Sequence, residues 1–432
     1  MNVAFYNGVS GTKTHQNGID IWGYNIANVN TTGFKSNTPE FSSIFASTLS
    51  ETSSAAVSSQ VGYGSKLSST AIDLSQGTLQ QSDNPLDLAI QGDGWFGISG
   101  INNKQLFTRN GTFGTNAEGY IVDGNGNYLL GTSANNIIFG ADPEDPAKSI
   151  AILSDQVDTV ELTSPDAQGR LQLPERMYYP PEASTKVEFK ANLPVDYLPG
   201  QQFNTKAGLI APDGTKHTLT VEYIKSAQQP QLGSAWEYRA YIDDETAPYS
   251  EVTGRLEFDE NGGLRTIPAQ FTIDNYGGAV EVTLGTSAYD GLVSIAGAEI
   301  ATTSNADGFP EGYLSGYRID QEANIIASFD NGRTSAIGKV AVFHFQNDQG
   351  LEKAGANTYI ESSNSGKPTF FTDENGKTVL GAQVINNALE NSNVSLATAL
   401  TELIVMQKAF DASAKSITTS DQMIQKAINM KK

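Results

Sequence analysis

The sequence predicts a mainly β protein with terminal α-helices. The N- and C-terminal helices pair into a coiled-coil-like domain, and of two β-rich domains one is inserted into the other. Three observations predict this. Helix-period apolar spacing is confined to the two ends of the 432-residue chain. Tight-turn dipeptides punctuate everything between them. The β texture before residue 180 also returns after residue 304, on the far side of a distinct central block.

The first thirty residues read as a helix with two faces. Phe5, Val9, Ile19 and Ile26 fall at heptad-compatible spacing, while Ala4, Gly11, Gly18 and Trp22 lie on another face. Gly8, Gly11, Gly18 and Gly23 each cost roughly 1 kcal/mol relative to Ala. Such a helix is marginal alone and needs a partner, so it is expected to order on assembly. The stretch NIANVNTTGFKS, residues 25–36, stops it with Asn, Thr and Gly. Residues 31–70, with the Ser- and Thr-rich run FSSIFASTLSETSSAAVSSQ, read as an extended linker.

From there the texture is β. Asn110-Gly111, Asn261-Gly262, Asn331-Gly332 and Asn375-Gly376, with Asp93-Gly94, Asp123-Gly124, Asp213-Gly214 and Asp307-Gly308, supply the positive-φ residues that tight hairpins need. Residues 71–181 and 304–385 are expected to form one β-rich domain and 182–303 an inserted outer β domain. Residues 1–30 and 386–432 are expected to form the terminal helical domain. In the last segment Leu396, Leu400, Leu403, Gln407, Phe410, Ala414, Ile417, Asp421, Ile424 and Ile428 repeat at 4,3 spacing without a Gly or Pro. A sustained stripe of this period is a coiled-coil seam. The competing reading is an ordinary amphipathic helix on a globular core. The seam is favoured because the other comparable helix opens the chain.

No residue pattern points to catalysis, a cofactor or a metal. GDGWFG, residues 92–97, matches a dinucleotide fingerprint but is followed by strand-like sequence, so it reads as a turn. DGNGN, residues 123–127, opens like a calcium loop, but the sixth position is Tyr128 and the twelfth is Ala134. His15, His217 and His344 lie in different textures. The chain has no cysteine, which removes disulfides and Cys-based metal sites, and a formal charge of −21, which weighs against nucleic acid. The N-terminus lacks the pattern of a cleaved signal peptide, and no stretch reaches the ~18 apolar residues of a membrane span. An acidic, secreted binding module or adhesin suits the composition, but has no need of a seam split between the two chain ends.

NIANVNTTGFKS resembles the N-terminal signature of bacterial flagellar axial proteins, those of the rod, hook and hook-filament junction. Asn25, Ile26, Ala27, Asn28, Thr32, Gly33, Phe34 and Lys35 carry that match, and Tyr24 stands where Asn is usual. PLDLAIQGDGWFGI and FTRNGTFGTNAEGYIVDGNGNYLLG resemble the family's shared β domain, and the run from NNALENSNVSLATAL to the last helix resembles its C-terminal motif. The block 182–303 resembles the outer domain of hook members, with a distal rod or hook-like paralogue as the alternative. The resemblance implies a non-enzymatic structural subunit without cofactor that polymerises into a curved helical tube, a flexible joint passing motor torque from rod to filament. Phe5, Val9, Ile19 and Ile26, with Leu396, Leu400, Leu403, Phe410, Ala414, Ile417, Ile424 and Ile428, would form the self-assembly seam. Implied partners are copies of the chain, the rod, hook-cap and hook-filament junction proteins, and the flagellar type III export apparatus, with no nucleic acid and no membrane insertion. The implied location is the hook and basal body, outside the cell after export without a cleaved signal.

Overall fold

The computed structural model describes residues 3–44, 46–50, 59–100, 102–143, 145–146, 148–243, 245–298, 300–374 and 376–430. Helix α1 (Val3–Ala27) and helix α2 (Leu396–Asn429) pack along each other. The pairing uses the glycine face of α1. Gly8, Gly11, Thr14, Gly18 and Asn25 are its buried residues. A Cβ added at Gly8 would lie 2.7 Å from Ile417 Cγ1, at Gly11 2.7 Å from Ser413 Oγ, and at Gly18 3.0 Å from Met406 Sδ. As residue numbers rise along α1 they fall along α2, so the pair is antiparallel. The glycines that weaken α1 as an isolated helix are the ones that let α2 approach.

Within one chain the residues named for the seam divide. Ile417 faces Gly8, Leu403, Phe410 and Ala414 are half-buried, and Leu396, Leu400, Ile424 and Ile428 are exposed. On α1, Phe5 and Val9 are exposed, and Ile19 and Ile26 are half-buried. Residues 421–429 of α2 overhang the N-terminus of α1, which leaves Met423, Ile424 and Ile428 uncovered. Helix α2 also starts ten residues later than the texture suggests. Gln383–Asn386 pairs with Leu88–Gln91, and Ala388–Glu390 pairs with Leu79–Gln81. Ser395 then caps the helix, its hydroxyl accepting from Thr398 N.

The segment 31–70 is not a free connector where it is described. Asn37–Ser43 pairs antiparallel with Ser65–Ile72, and Ala46–Ser50 with Ser59–Gly62. Its Ser and Thr content, which suggests hydration, is equally compatible with a pleated ladder. Thr14 Oγ1 donates to Ser65 O at 2.8 Å and ties the hairpin to α1. Residues 51–58 of the expected linker lie outside the described residues.

The remaining apolar interior forms two main clusters. The first takes strands from both sides of the central block. Met177–Tyr179 pairs with Gly312–Ile319, and Tyr128–Ser133 pairs with Thr334–Val340, in one 15-stranded sheet around Trp95, Phe96, Phe107 and Phe343. The second lies between a five-stranded and a four-stranded sheet around Phe189, Tyr223, Trp236 and Phe258. Its entering strand, Lys186–Asn192, pairs antiparallel with its leaving strand, Ile300–Ala306, so the chain enters and exits side by side.

The glycine face yields a test. Replacing Gly11 with Leu should separate α1 from α2, seen as loss of helical signal and rapid proteolysis of both ends. The melting transition of the β interior should stay within about 2 °C, since additivity holds for distant sites. Retention of the paired helices would show that they tolerate a wider spacing.

Candidate functional site

The residues after α1 build the place where both chain ends and the β interior meet. The helix unwinds through short turns: Asn28 N donates to Asn25 O at 3.1 Å and Thr31 N to Asn28 O at 3.1 Å. Asn25 is fully buried and acts as a clasp. Its Nδ2 donates to Asn37 O at 2.8 Å, and its Oδ1 accepts from Asn37 N at 3.0 Å. Ile26 is half-buried, Ala27 exposed, and Asn28 Nδ2 caps back onto Tyr24 O. Thr32 O accepts from Asn357 Nδ2 at 3.0 Å. Gly33 takes φ +65°, and a Cβ there would sit 2.5 Å from the Arg109 carbonyl, so only glycine fits both the turn and the approach. Gly33 N donates to Glu390 O at 2.6 Å. Phe34 is buried against Tyr24 with ring centroids 5.5 Å apart.

Lys35 carries the strongest interaction. Its Nζ is 2.7 Å from Glu390 Oε1, both side chains are 1% exposed, and it also donates to Ser75 O at 2.8 Å. Glu390 Oε2 lies 3.4 Å from Arg109 Nη1, while Arg109 Nη2 donates to Gly92 O at 2.7 Å. Gly77 N also donates to Glu390 Oε1 at 2.9 Å. Burial pushes both cations below their ordinary ranges, and the Glu390 charge opposes that shift in each. One carboxylate therefore holds two buried cations. Asn393 completes the junction: its Oδ1 accepts from Ser36 N at 2.8 Å and its Nδ2 donates to Asp73 O at 2.8 Å. The arrangement is a mechanical lock.

Glu390, Arg109 and Asn393 were not legible as site residues. The available signals were a lone acid in the apolar strand ALE and a lone arginine in FTRNG, neither of which names its partner. The other sequence candidates fall apart in space or into turns. GDGWFG is a turn into Trp95–Ser99, with Gly92 and Gly94 at positive φ. Asp123 Oδ1 accepts from the N–H groups of Asn125 and Asn127, so its carboxylate closes its own loop. His15 meets Phe41, His217 meets Asp243 at 2.7 Å, and His344 Nε2 contacts Leu380 O at 2.6 Å.

The lock joins three segments that each match a family of flagellar axial proteins. Residues 5–35 match the flagella basal body rod protein family, residues 89–162 the flagellar hook protein FlgE/F/G D1 domain, and residues 385–430 the flagellar basal body rod FlgEFG protein C-terminal family. Lys35, Arg109 and Glu390 fall one in each. Over its whole length the chain is 30% identical to a flagellar hook protein FlgE of Borreliella burgdorferi, with 99% of both chains covered. It is 26% identical to that of Escherichia coli, covering 99% of this chain and 100% of the relative. The crystal structure of Helicobacter pylori flagellar hook protein FlgE2 shares the fold, with a TM-score of 0.52 at 17% identity over 72% of this chain and 100% of that one. The chain belongs to the flagellar hook protein FlgE family.

The lock predicts an order of mutational cost. Glu390→Gln leaves two buried cations without their carboxylate and should cost about 3–5 kcal/mol of stability by denaturant unfolding, the range for breaking a buried pair. Lys35→Met leaves Glu390 with Arg109 and the Gly77 N–H, so it should cost less. Equal or negligible costs would mean that Glu390 is not the shared anchor.

Proposed function

We propose that this chain is the repeating subunit of the bacterial flagellar hook, polymerised into a curved helical tube that passes motor torque from rod to filament as a flexible joint. The observation that carries this is the uncovered flank of the helix pair. At 3.6 residues per turn, the Leu396, Leu400 and Ile404 row of α2 projects to the same side as Phe5, Val9, Ile19 and Ile26 of α1. Leu400 is 45% and Ile404 54% exposed. Burying a Leu or Ile side chain contributes about 1.5–3 kcal/mol, so this flank, with the overhanging Ile424 and Ile428, favours contact with further copies. Leu403, Phe410, Ala414 and Ile417 support that seam from its shoulder.

In this reading the helices form a stiff inner wall, and polar contacts between outer domains slide as each protofilament shortens and lengthens. The subunit leaves the cell through the flagellar type III apparatus, meets the rod below, and adds beneath a hook cap before the junction proteins follow. It works as structure and not as an enzyme. The outer block behaves as a separate domain. The adhesin reading gives no role to a helix flank of this kind.

Leu400→Asp tests assembly. The variant should form no tubes by negative-stain microscopy at concentrations where the wild type does, while its melting temperature stays unchanged. Tubes at wild-type concentration would remove the flank from assembly. The fragment 182–309 tests the domain division: it should fold alone with a cooperative thermal transition, because its two ends are bridged at Glu182 and Phe309. A fragment without near-UV circular dichroism would place the boundary elsewhere.

A further inference from the structure

The chain leaves the β interior after Tyr179 and re-enters it at Gly312, through two short segments, PPEAS at 180–184 and DGFPE at 307–311. Pro180, Pro181 and Pro310 carry no N–H, so the two segments cannot pair as a full ladder. They are bridged at one point: Glu182 N donates to Phe309 O and Phe309 N to Glu182 O, each at 2.9 Å. The outer end of this ribbon is anchored. Ser184 N donates to Ile210 O at 2.9 Å, and Asp307 Oδ1 accepts from Thr185 N at 2.7 Å and Lys186 N at 2.9 Å. The inner end is anchored where Tyr179 pairs with Gly312. A thin ribbon fixed at both ends and bridged in the middle can twist, and relative motion is the default for domains joined by a small interface.

One arm of the β interior reaches across to this ribbon. Strands Asn324–Phe329 and Thr334–Val340 are joined by a turn at Asn331-Gly332, with Gly332 at φ +82°. Asn331 Oδ1 accepts from Arg333 N at 3.0 Å, and its Nδ2 donates to Pro310 O at 2.8 Å. The turn presents Arg333 to the bridge itself. Arg333 Nη2 pairs with Glu182 Oε2, and its Cζ lies 4.0 Å from the Phe309 ring centroid. One guanidinium therefore holds both segments, by an ion pair on one and a cation over an aromatic face on the other. The hold is a light one. Glu182 is 52% exposed, Arg333 Nε is buried without a hydrogen-bond partner, and ion pairs open to solvent are weak. Beside it a cavity of about 270 Å³, lined by Ser154, Asp155, Tyr179, Pro181 and Arg333 among others, leaves room for the ribbon to move.

We infer that Arg333 is a latch that sets the angle between the outer block and the β interior, and that its release lets the outer block swing on the ribbon. Hinges of this kind need only a few residues at the ends of elements. The Asn331–Pro310 bond still tethers the returning segment when the latch is open, which places the pivot at the Glu182–Phe309 bridge. An ion pair half open to solvent is screened by salt, so ionic strength loosens the latch. The latch is a property of one chain, and it stands or falls independently of the assembly reading.

The absence of cysteine makes site-directed labelling clean. Lys104→Cys on the β interior and Lys206→Cys on the outer block put one dye each at an exposed position of the full chain. Single-molecule energy transfer on the dilute, unassembled protein then reads the spread of distances between the two parts. With the latch intact the spread should be narrow at low salt and should widen at about 1 M salt, where charges are screened within ~3 Å. Arg333→Ala should widen it about twofold at low salt, since a small interface no longer holds the angle, and should abolish the response to salt. Glu182→Gln should widen it less, because the Phe309 face still holds the guanidinium, and should also blunt the salt response. Unchanged thermal transitions separate release of the latch from unfolding, and if Arg333→Ala fails to fold, Glu182→Gln carries the test. A folded variant with the native spread, or one that keeps the full response to salt, overturns the latch.

Discussion

The structure depends on one buried carboxylate that two cations share. Glu390 sits in the last strand before α2, Lys35 just after α1, and Arg109 in the β interior. Desolvating three charges is expensive, and mutual attraction repays it only when the remaining donors and acceptors are satisfied. Here the carbonyls of Ser75 and Gly92 and the N–H of Gly77 supply most of that satisfaction, while Arg109 Nε stays buried without a hydrogen-bond partner. A buried ionic group of this kind specifies geometry more than it adds stability. It fixes how the helix pair leaves the β interior.

The helix pair follows the opposite strategy. On α1 small residues face inward and Phe5 and Val9 face outward, reversing the usual order for an isolated globular protein. Gly8, Gly11 and Gly18 bring α2 close, so the pair buries little large apolar surface of its own. In the proposed assembly those large residues serve neighbouring copies, while the lock and the Asn25 clasp hold the pair in place within one chain.

Much of this was legible in the sequence. Turn pairs and alternation gave a β interior interrupted by a second one, because hairpin chemistry is local. The two terminal helices followed from periodicity, and the glycine face was visible as an alternative to the Phe5–Ile26 row. What periodicity could not decide was which face pairs within the chain. Large apolar residues dominate the pattern, yet close approach selects small ones. The Ser- and Thr-rich segment read as a linker because polarity is ambiguous between hydration and an exposed ladder. Residues 386–390, which end one strand and form the next, were absorbed into the helix because a short run such as NNALE carries both signals. The lock itself depends on residues 355 positions apart in the case of Lys35 and Glu390, and no local signal joins them.

Hydrogen–deuterium exchange on the dilute monomer tests the central claim that the junction is rigid before any polymer forms. The amides of Gly33, Ser36, Asn37 and Gly77 donate into the lock or its clasps. They should exchange as slowly as the β interior, while residues 421–429 of α2, which overhang α1, exchange without protection. Junction amides that exchange as fast as that overhang would contradict the account, because the ends would then be tethered to the β interior only after assembly.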